Sequence, residues 1–137
     1  MEADLIARLK SVAGVSNLVG TRVFGHVQQG EGYPLARIQR IGSEHSHDMA
    51  GASGICKALV QIDCVSRIVK DAKDVAEAVR LAIQGWKGTQ GDTNFRSILL
   101  TDQRDLDEPD QQGGETGHSR VVMDFTVTYQ ESVPSFA

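Results

Sequence analysis

A strict alternation of apolar and polar side chains near the end of the chain constrains the fold more than any other feature of the sequence. Over residues 120–130 the alternating apolar positions are Val121, Met123, Phe125, Val127 and Tyr129. Successive side chains of a β-strand point to opposite faces, so this period of two predicts a strand with one buried face. Residues 58–65 alternate in the same way and predict a second such strand.

An amphipathic helix is predicted between these two strands. Its apolar residues recur at steps of three and four, namely Ala72, Val75, Ala76, Val79, Ala82, Ile83 and Trp86. A stripe of this width can cover one face of a sheet. Ser66 and Asp71 are alternative N-caps for the helix. Gly85 suits the left-handed residue that follows a helix, an ending that would pack Trp86 against Leu81.

The rest of the chain supplies one short helix and further strands. Leu5, Ile6 and Leu9 predict an N-terminal helix that is broken at Gly14 and followed by a connector over residues 15–20. Extended patterns predict strands over residues 22–27, 35–44 and 95–101. Glycines and small residues predict loops or connectors over residues 28–34, 45–54, 86–94 and 102–117.

Strands grouped around one large helix predict an α+β fold. We expect a largely antiparallel sheet of four to five strands, covered by one long amphipathic helix and accompanied by a short N-terminal helix. The length of 137 residues fits a single domain, which we place at residues 1–131. Residues 132–137 are expected to form a flexible C-terminal tail.

Charge and hydropathy exclude several classes of function. The formal net charge is −4, and lysine and arginine are dispersed, unlike the basic patches of proteins that bind nucleic acids. No apolar run approaches the roughly 18 residues that span a bilayer, and the acidic start of the chain is unlike a signal peptide. We therefore expect a protein that is made in the cytoplasm, has no contact with a membrane and does not bind DNA tightly.

The residues that could carry catalysis or bind a metal lack the spacing that such sites require. His45 and His47 share one face of an extended chain, but Asp48 is the one further ligand nearby and no convincing fourth follows. The glycines around Lys87 follow a helix and precede a strand, which is the reverse of a phosphate-binding P-loop. Possible sets of a nucleophile, a histidine and an aspartate have no nucleophile elbow to support them. The sequence thus predicts no enzyme, no cofactor and no metal site.

The segment before the last strand is strongly acidic. Six carboxylates accompany one arginine there: Asp102, Asp105, Asp107, Glu108, Asp110 and Glu115. Leu106 and Pro109 lie among them and are typical of a docking segment. Long loops in compact domains are often functional, so we expect this acidic loop to meet a partner.

Four runs, in this order and at these separations, resemble the tail-completion or tail-terminator proteins of long-tailed bacteriophages and of phage-like gene transfer particles. The runs are ALVQIDCVSR, KDAKDVAEAVRLAIQGW, ILLTDQRDLDEPD and SRVVMDFTVTYQE. The strand YPLARIQRIG and the leading helix also fit, so the resemblance covers about residues 3–131. These motifs are structural patterns and not catalytic signatures.

The resemblance implies a structural virion protein that is assembled in the cytoplasm of the bacterial host. Members of the family are α+β domains that form a homo-oligomeric ring, usually a hexamer, on the end of the tail tube. The ring stops polymerisation of the tube protein, joins the tail to a head-completion protein of the neck and leaves a central passage for DNA, which crosses it without specific binding.

Two loops would supply the contacts of such a ring. By the resemblance, the loop with His45, His47, Asp48 and Met49 would contact a neighbouring subunit or the tube. The acidic loop with Asp102, Asp105, Asp107, Glu108, Asp110 and Glu115 would face the lumen or a partner. An acidic lumen repels phosphates, so we expect part of this loop to line the passage.

Two alternatives remain open at the level of sequence. The nearer alternative is another neck component, a head-completion or connector protein, which shares the small size, the acidity and the ring. The more distant alternative is a small α+β enzyme or ligand-binding module that uses His45, His47 or Cys64.

Overall fold

Three helices and six strands make up the part of the chain that the structure, a computed structural model, describes: residues 1–20, 22–25, 34–48, 51–108 and 118–130. The helices are α1 (Glu2–Ser11), α2 (Ala13–Val19) and α3 (Val69–Ile83). The strands are β1 (Val23–Phe24), β2 (Leu35–Asp48), β3 (Gly51–Ser66), β4 (Gly88–Gln90), β5 (Thr93–Glu108) and β6 (His118–Gln130).

The strands form one sheet in the order β1-β2-β3-β6-β5-β4. The short edge strand β1 pairs in parallel with β2, and all the other pairs are antiparallel. The central pair β3 and β6 runs in unbroken register from Ile55 opposite Gln130 to Ser66 opposite Ser119. Register shifts occur in the flanking strands, between Arg40 and Gly42 in β2 for example. Such bulges bend a strand and increase its twist, which curls the sheet outside its regular centre.

The helices pack on one face of the sheet and close the hydrophobic core there. The alternation predicted from the sequence places Val60 and Ile62 of β3 beside Phe125 of β6 on this face, and all three are fully buried. Val75 and Val79 of α3 belong to the same core cluster. We call this side of the sheet the helix face and the opposite side the open face.

The expected α+β class and the largely antiparallel sheet are confirmed, whereas the predicted numbers of strands and helices are wrong. The described residues contain six strands instead of four to five, because the short strands β1 and β4 extend the edges of the sheet. They also contain two helices at the N-terminus. The break lies at Val12, whose backbone is extended, and Gly14 is part of α2. Burial of Val15 and Val19 outweighs the poor helix propensity of glycine.

The ends of α3 differ from the sequence prediction in their details. Neither Ser66 nor Asp71 is the N-cap; the cap position is Ile68, whose N–H donates to Ser66 Oγ at 3.4 Å. Gly85 does follow the helix with a φ of 77°. Its N–H donates to the Ile98 carbonyl of β5 at 2.8 Å, so the end of the helix is fixed to the sheet.

Trp86 packs between α1 and β5, whereas Leu81, its predicted partner, is 69% exposed. Its ring centroid is 5.5 Å from that of Phe95 and 4.3 Å from the guanidinium carbon of Arg8. Arg8 also donates to the Ala82 carbonyl at 3.3 Å. The tryptophan therefore joins the first helix, the last turn of α3 and the sheet. The proposed domain of residues 1–131 stays a prediction, and the predicted tail of residues 132–137 lies outside the described residues.

The packing of α3 can be tested with two substitutions on that helix. Ile83 is fully buried, and Ile83→Ala should lower the free energy of unfolding by about 2–5 kcal/mol because it leaves a cavity. Leu81 is 69% exposed, and Leu81→Ala should change it by less than about 0.5 kcal/mol. Urea denaturation measures both values, and equal losses would contradict the orientation of the helix.

The buried thiol of Cys64 should make the free energy of unfolding fall as the pH rises into the alkaline range. Burial, and then the nearby Asp63 carboxylate, raise the pKa of Cys64 far above its usual range. The unfolded thiol loses its proton above about pH 8.5, while the folded thiol keeps it, so stability should fall as pH rises further, by up to about 1.4 kcal/mol per pH unit. The difference in urea midpoints between wild type and Cys64→Ala should therefore shrink from pH 8 to pH 10. A constant difference would contradict the assignment.

Candidate functional site

The two predicted contact segments lie at opposite ends of the sheet. β2 passes into β3 after Asp48, close to Gly51, and we call this the β2–β3 end. β5 passes into β6 beyond Glu108, which pairs with His118, and we call this the β5–β6 end. The strand register shows that the two ends are far apart. Leu35, at the start of β2, is aligned with Val65 of β3, and Arg120 of β6 aligns Val65 in turn with Leu106 near the end of β5. The β5–β6 end therefore lies beside the start of β2, and the β2–β3 end lies beyond the other end of that strand.

The first predicted loop, residues 45–54, is mostly strand. His45, His47 and Asp48 belong to β2, which extends to Asp48, and β3 already begins at Gly51. Met49 lies outside the described residues. Small and polar residues gave this hairpin the composition of a loop, although its backbone groups continue the ladder between β2 and β3. The loop prediction is therefore wrong over residues 45–48 and 51–54.

The acidic loop is likewise shorter than the sequence predicts. Asp102, Asp105, Asp107 and Glu108 belong to β5 and pair with β6 across the ladder. Asp110 and Glu115 lie outside the described residues. The strand continues because backbone pairing with β6 does not depend on apolar side chains, so the charged arm of a hairpin can extend beyond the core.

Strand geometry sends the described carboxylates to opposite faces. Asp102 is aligned with Asp124 on the open face, where Arg104 bonds both of them. Asp105 is aligned with Val121 on the helix face and lies 3.7 Å from Lys73 Nζ of α3. The acidic residues are therefore not one free cluster, because each described side chain of the set has a basic partner.

The open face carries a buried ion pair that the sequence did not reveal. Asp63 of β3 has a side chain only 7% exposed, and its Oδ2 lies 2.8 Å from Arg37 of β2 and 3.3 Å from Arg120 of β6. Gln61 donates to the other carboxylate oxygen at 3.0 Å. A single aspartate thus links three neighbouring strands. An aspartate at a strand position that alternates with apolar residues is the only sequence signal for it.

Arg104 forms a second charged group on the same face. It lies 3.1 Å from Asp124 and also bonds Asp102. The hydrogen bond to Asp124, followed by that to Asp102, raises the pKa of the guanidinium. Arg104 therefore stays charged over the accessible pH range.

A shallow depression of about 280 Å³ lies farther along the open face, beside Gly42, Lys57 and Leu59. Leu59 of β3 and Leu99 of β5 flank Thr126 of β6 in one row across the sheet, and both leucines are about half exposed. This row is apolar but contains no arrangement of acids, bases or nucleophiles.

The described residues offer no chemical centre at the positions considered from the sequence. They contain no group of three or more histidine, cysteine or acidic side chains that could hold a metal ion. Neither cysteine forms a disulfide with the other and both are buried, and the raised pKa of Cys64 disfavours the thiolate that a nucleophile needs. No described helix is long and apolar enough to cross a membrane. The side chains of His45 and His47 are outside the described set.

Comparison with models of known protein families shows to which family the chain belongs. The family model described as Tail completion protein gp17 matches residues 3–130, nearly the whole sequence. The chain belongs to this tail completion family. The resemblance noted in the sequence is thereby confirmed, and it makes the protein a structural component of the virion tail.

A solved structure supports the same fold. The chain is similar to a chain in the virion of a native gene transfer agent particle, with a TM-score of 0.64 and 17% sequence identity. The match covers 95% of this chain and 94% of that chain. No curated protein matches the sequence. The two chains thus share this architecture although most of their residues differ.

Breaking the buried ion pair should strongly destabilise this tail completion protein. Asp63→Ala leaves Arg37 and Arg120 without their shared carboxylate and should lower the free energy of unfolding by about 3 kcal/mol. Asp102→Ala removes an exposed partner and should cost less than about 1 kcal/mol. Chemical denaturation compares the two variants, and similar losses would argue against a special role of Asp63.

Proposed function

We propose that this chain forms a homo-oligomeric ring that caps the end of the tail tube, ends tube polymerisation and joins the tail to the neck. In keeping with its family we take the ring to be a hexamer. The role is structural and involves no catalysis or cofactor. The protein is assembled into the particle in the host cytoplasm, and DNA crosses the ring without specific binding.

The observation that carries this proposal is the placement of the two hairpin ends. A joining protein needs two different axial contacts, one with the tube and one with a neck protein. The β2–β3 end and the β5–β6 end lie at opposite ends of strands that are 13 to 16 residues long. At about 3.3 Å per residue, such strands separate the two ends by roughly 40 Å. One subunit can therefore reach a different partner at each end.

A closed ring also needs two different lateral surfaces on each subunit, because cyclic assemblies use heterologous contacts. The sheet has dissimilar edges, β1 with β2 on one side and β4 with β5 on the other. Exposed apolar side chains lie on both faces, including Leu81 on α3 and Leu99 on β5. The subunit is thus asymmetric in the way that head-to-tail contacts require.

Removal of the protein from its particle tests the proposal directly. Electron microscopy of particles that lack it should show tails of uncontrolled length or tails detached from heads, because the tube end is not capped. Supplying wild-type protein should restore joined particles. Normal joined particles in its absence would refute the proposal.

A binding experiment separates a tail-end protein from another neck component. Purified protein should co-sediment with isolated tail tubes and leave isolated heads unbound. Preference for heads would instead favour a head-completion or connector role. A loss of function in His45→Ala or His47→Ala particles that assemble normally would favour a ligand-binding or enzymatic role.

A further inference from the structure

β2 leaves much of its outer backbone edge uncovered. β1 pairs with Ala36 and Arg37 at the start of the strand, and among the described residues no other strand lies on that side. The Ala36 N–H points outward, since it donates to the Arg22 carbonyl at 3.0 Å. Backbone direction alternates along a strand, so outward N–H and C=O groups recur at Arg40 and, after the bulge, at Ser43.

β5 is uncovered along the other half of its own outer edge. β4 pairs with Thr93–Phe95, and the Gly85 N–H bonds the outward carbonyl of Ile98 at 2.8 Å. From Leu100 onward, the described part of the chain places no further strand on this side. Uncovered strand edges readily accept another strand. Each subunit therefore carries two such edges, one on each side of its sheet.

The directions of the strands suit a contact between these two edges. β2 and β5 run in opposite directions, because the pairings of β2 with β3, β3 with β6 and β6 with β5 are all antiparallel. Rotation about a ring axis keeps the direction of every strand along that axis. β2 of one subunit therefore meets β5 of the next as an antiparallel pair, which is the commoner kind in sheets.

Strand tilt can bring the two uncovered stretches alongside each other. Without tilt they meet only near the level that Arg40 and Leu100 share within one sheet. Strands of closed sheets tilt by about 35–45°. Across the four strands of one subunit, spaced about 4.8 Å apart, such a tilt offsets neighbouring edges by about four to six residues. In one sense of tilt, an offset of about six sets residues 40–45 of β2 opposite residues 103–107 of β5.

Charged and apolar side chains favour the offset of six over that of four. Residues that lie opposite each other share a face of the sheet, so only even offsets are allowed. The smaller offset sets Glu44 opposite Asp102, whereas the larger sets it opposite Arg104 on the open face. The larger offset also brings Leu106 beside Ile41, and both are about half exposed. Opposite charges and apolar contacts stabilise facing strands, and like charges destabilise them.

We infer that β2 of one subunit adds to the edge of β5 in the next, so that a single sheet continues around the ring. The partner is a second copy of this chain, held by backbone hydrogen bonds as in other cases of strand addition. Arg104 bonds Asp102 and Asp124 through Nη1, which leaves Nη2 for Glu44 of the neighbour. This inference rests on the proposed function and specifies which surfaces of the subunits join.

Disulfide cross-linking in assembled particles tests the pairing. The double variant Gly42→Cys with Leu106→Cys, supplied to particles that lack the wild-type protein and then oxidised, should give a ladder of covalent oligomers on a non-reducing gel. A Cβ atom added at Gly42 meets no atom within 4 Å, so the subunit has room for this cysteine. Within one subunit the two positions are three strand spacings apart, at least about 14 Å, which a disulfide cannot bridge.

Control variants make the cross-linking specific. Each single variant should stay monomeric on the gel, because the contact joins two different surfaces. Thr89→Cys with Leu106→Cys should also give no ladder, since Thr89 is exposed but lies in β4, on the same side of the sheet as β5. A ladder from Gly42→Cys with Arg104→Cys would support the edge pairing with an offset of four. No ladder from either Gly42 pair, or an equal ladder from the Thr89 pair, would overturn the inference.

A proline on the uncovered edge of β2 tests the role of the backbone. Ser43 is exposed and its N–H points outward, so Ser43→Pro removes a donor that the subunit's own sheet does not use. Circular dichroism should show a folded subunit, while the fraction of joined particles should fall several-fold. The loss should exceed that of Ser43→Ala, which keeps the N–H. Equal assembly by both variants would contradict backbone pairing, and the cysteine pairs alone decide should the proline variant not fold.

Failure of this inference can be distinguished from failure of the proposed function. Electron microscopy of the particles used for cross-linking reports separately on capping and joining. Joined tails of normal length without a ladder would reject the edge pairing alone. Joined tails of normal length in particles that lack the protein would reject the proposed function itself.

Discussion

The structure depends on the contact between α3 and the central pair of strands, β3 and β6. These two strands pair without a register shift, and their alternating side chains present a continuous apolar surface to the helix. Burial of such surface contributes about 25 cal/mol per Å², so this layer supplies a large part of the driving force for folding. Every other element is attached to it: β2 and β5 pair on either side, and the N-terminal helices complete the cover.

The parts of the fold that bury apolar side chains could be predicted from the sequence, whereas the parts held by backbone pairing could not. The sequence predicts the strands around Ile62 and Phe125 and the apolar stripe of α3. It does so because the period of the apolar residues reflects which side chains are buried. β5 continues through Asp102 and Asp105 because β6 lies beside it, and α2 forms because Val15 and Val19 find a core. Neither reason is visible in a local window of sequence.

The candidate surfaces show the same division. Composition located the acidic segment, but only the register shows that Asp102 and Asp105 face opposite sides of the sheet. Asp63 is separated along the sequence from Arg37 by 26 positions and from Arg120 by 57 positions. No local sequence motif could therefore predict this ion pair. Membership in the tail completion family shows that the protein belongs to a virion tail, whereas the strand register shows on which face of the sheet each charged side chain lies.

The bulge in β2 has a consequence for how the chain tolerates changes in length. Arg40 is aligned with Val60 and Gly42 with Leu59, so Ile41 is the one residue between them without an aligned partner on β3. Deleting Ile41 would leave regular pairing and would keep every later side chain on its present face. Deleting a residue within the regular stretch 36–39 would instead reverse the faces of its neighbours. Insertions and deletions among relatives should therefore concentrate at such bulges.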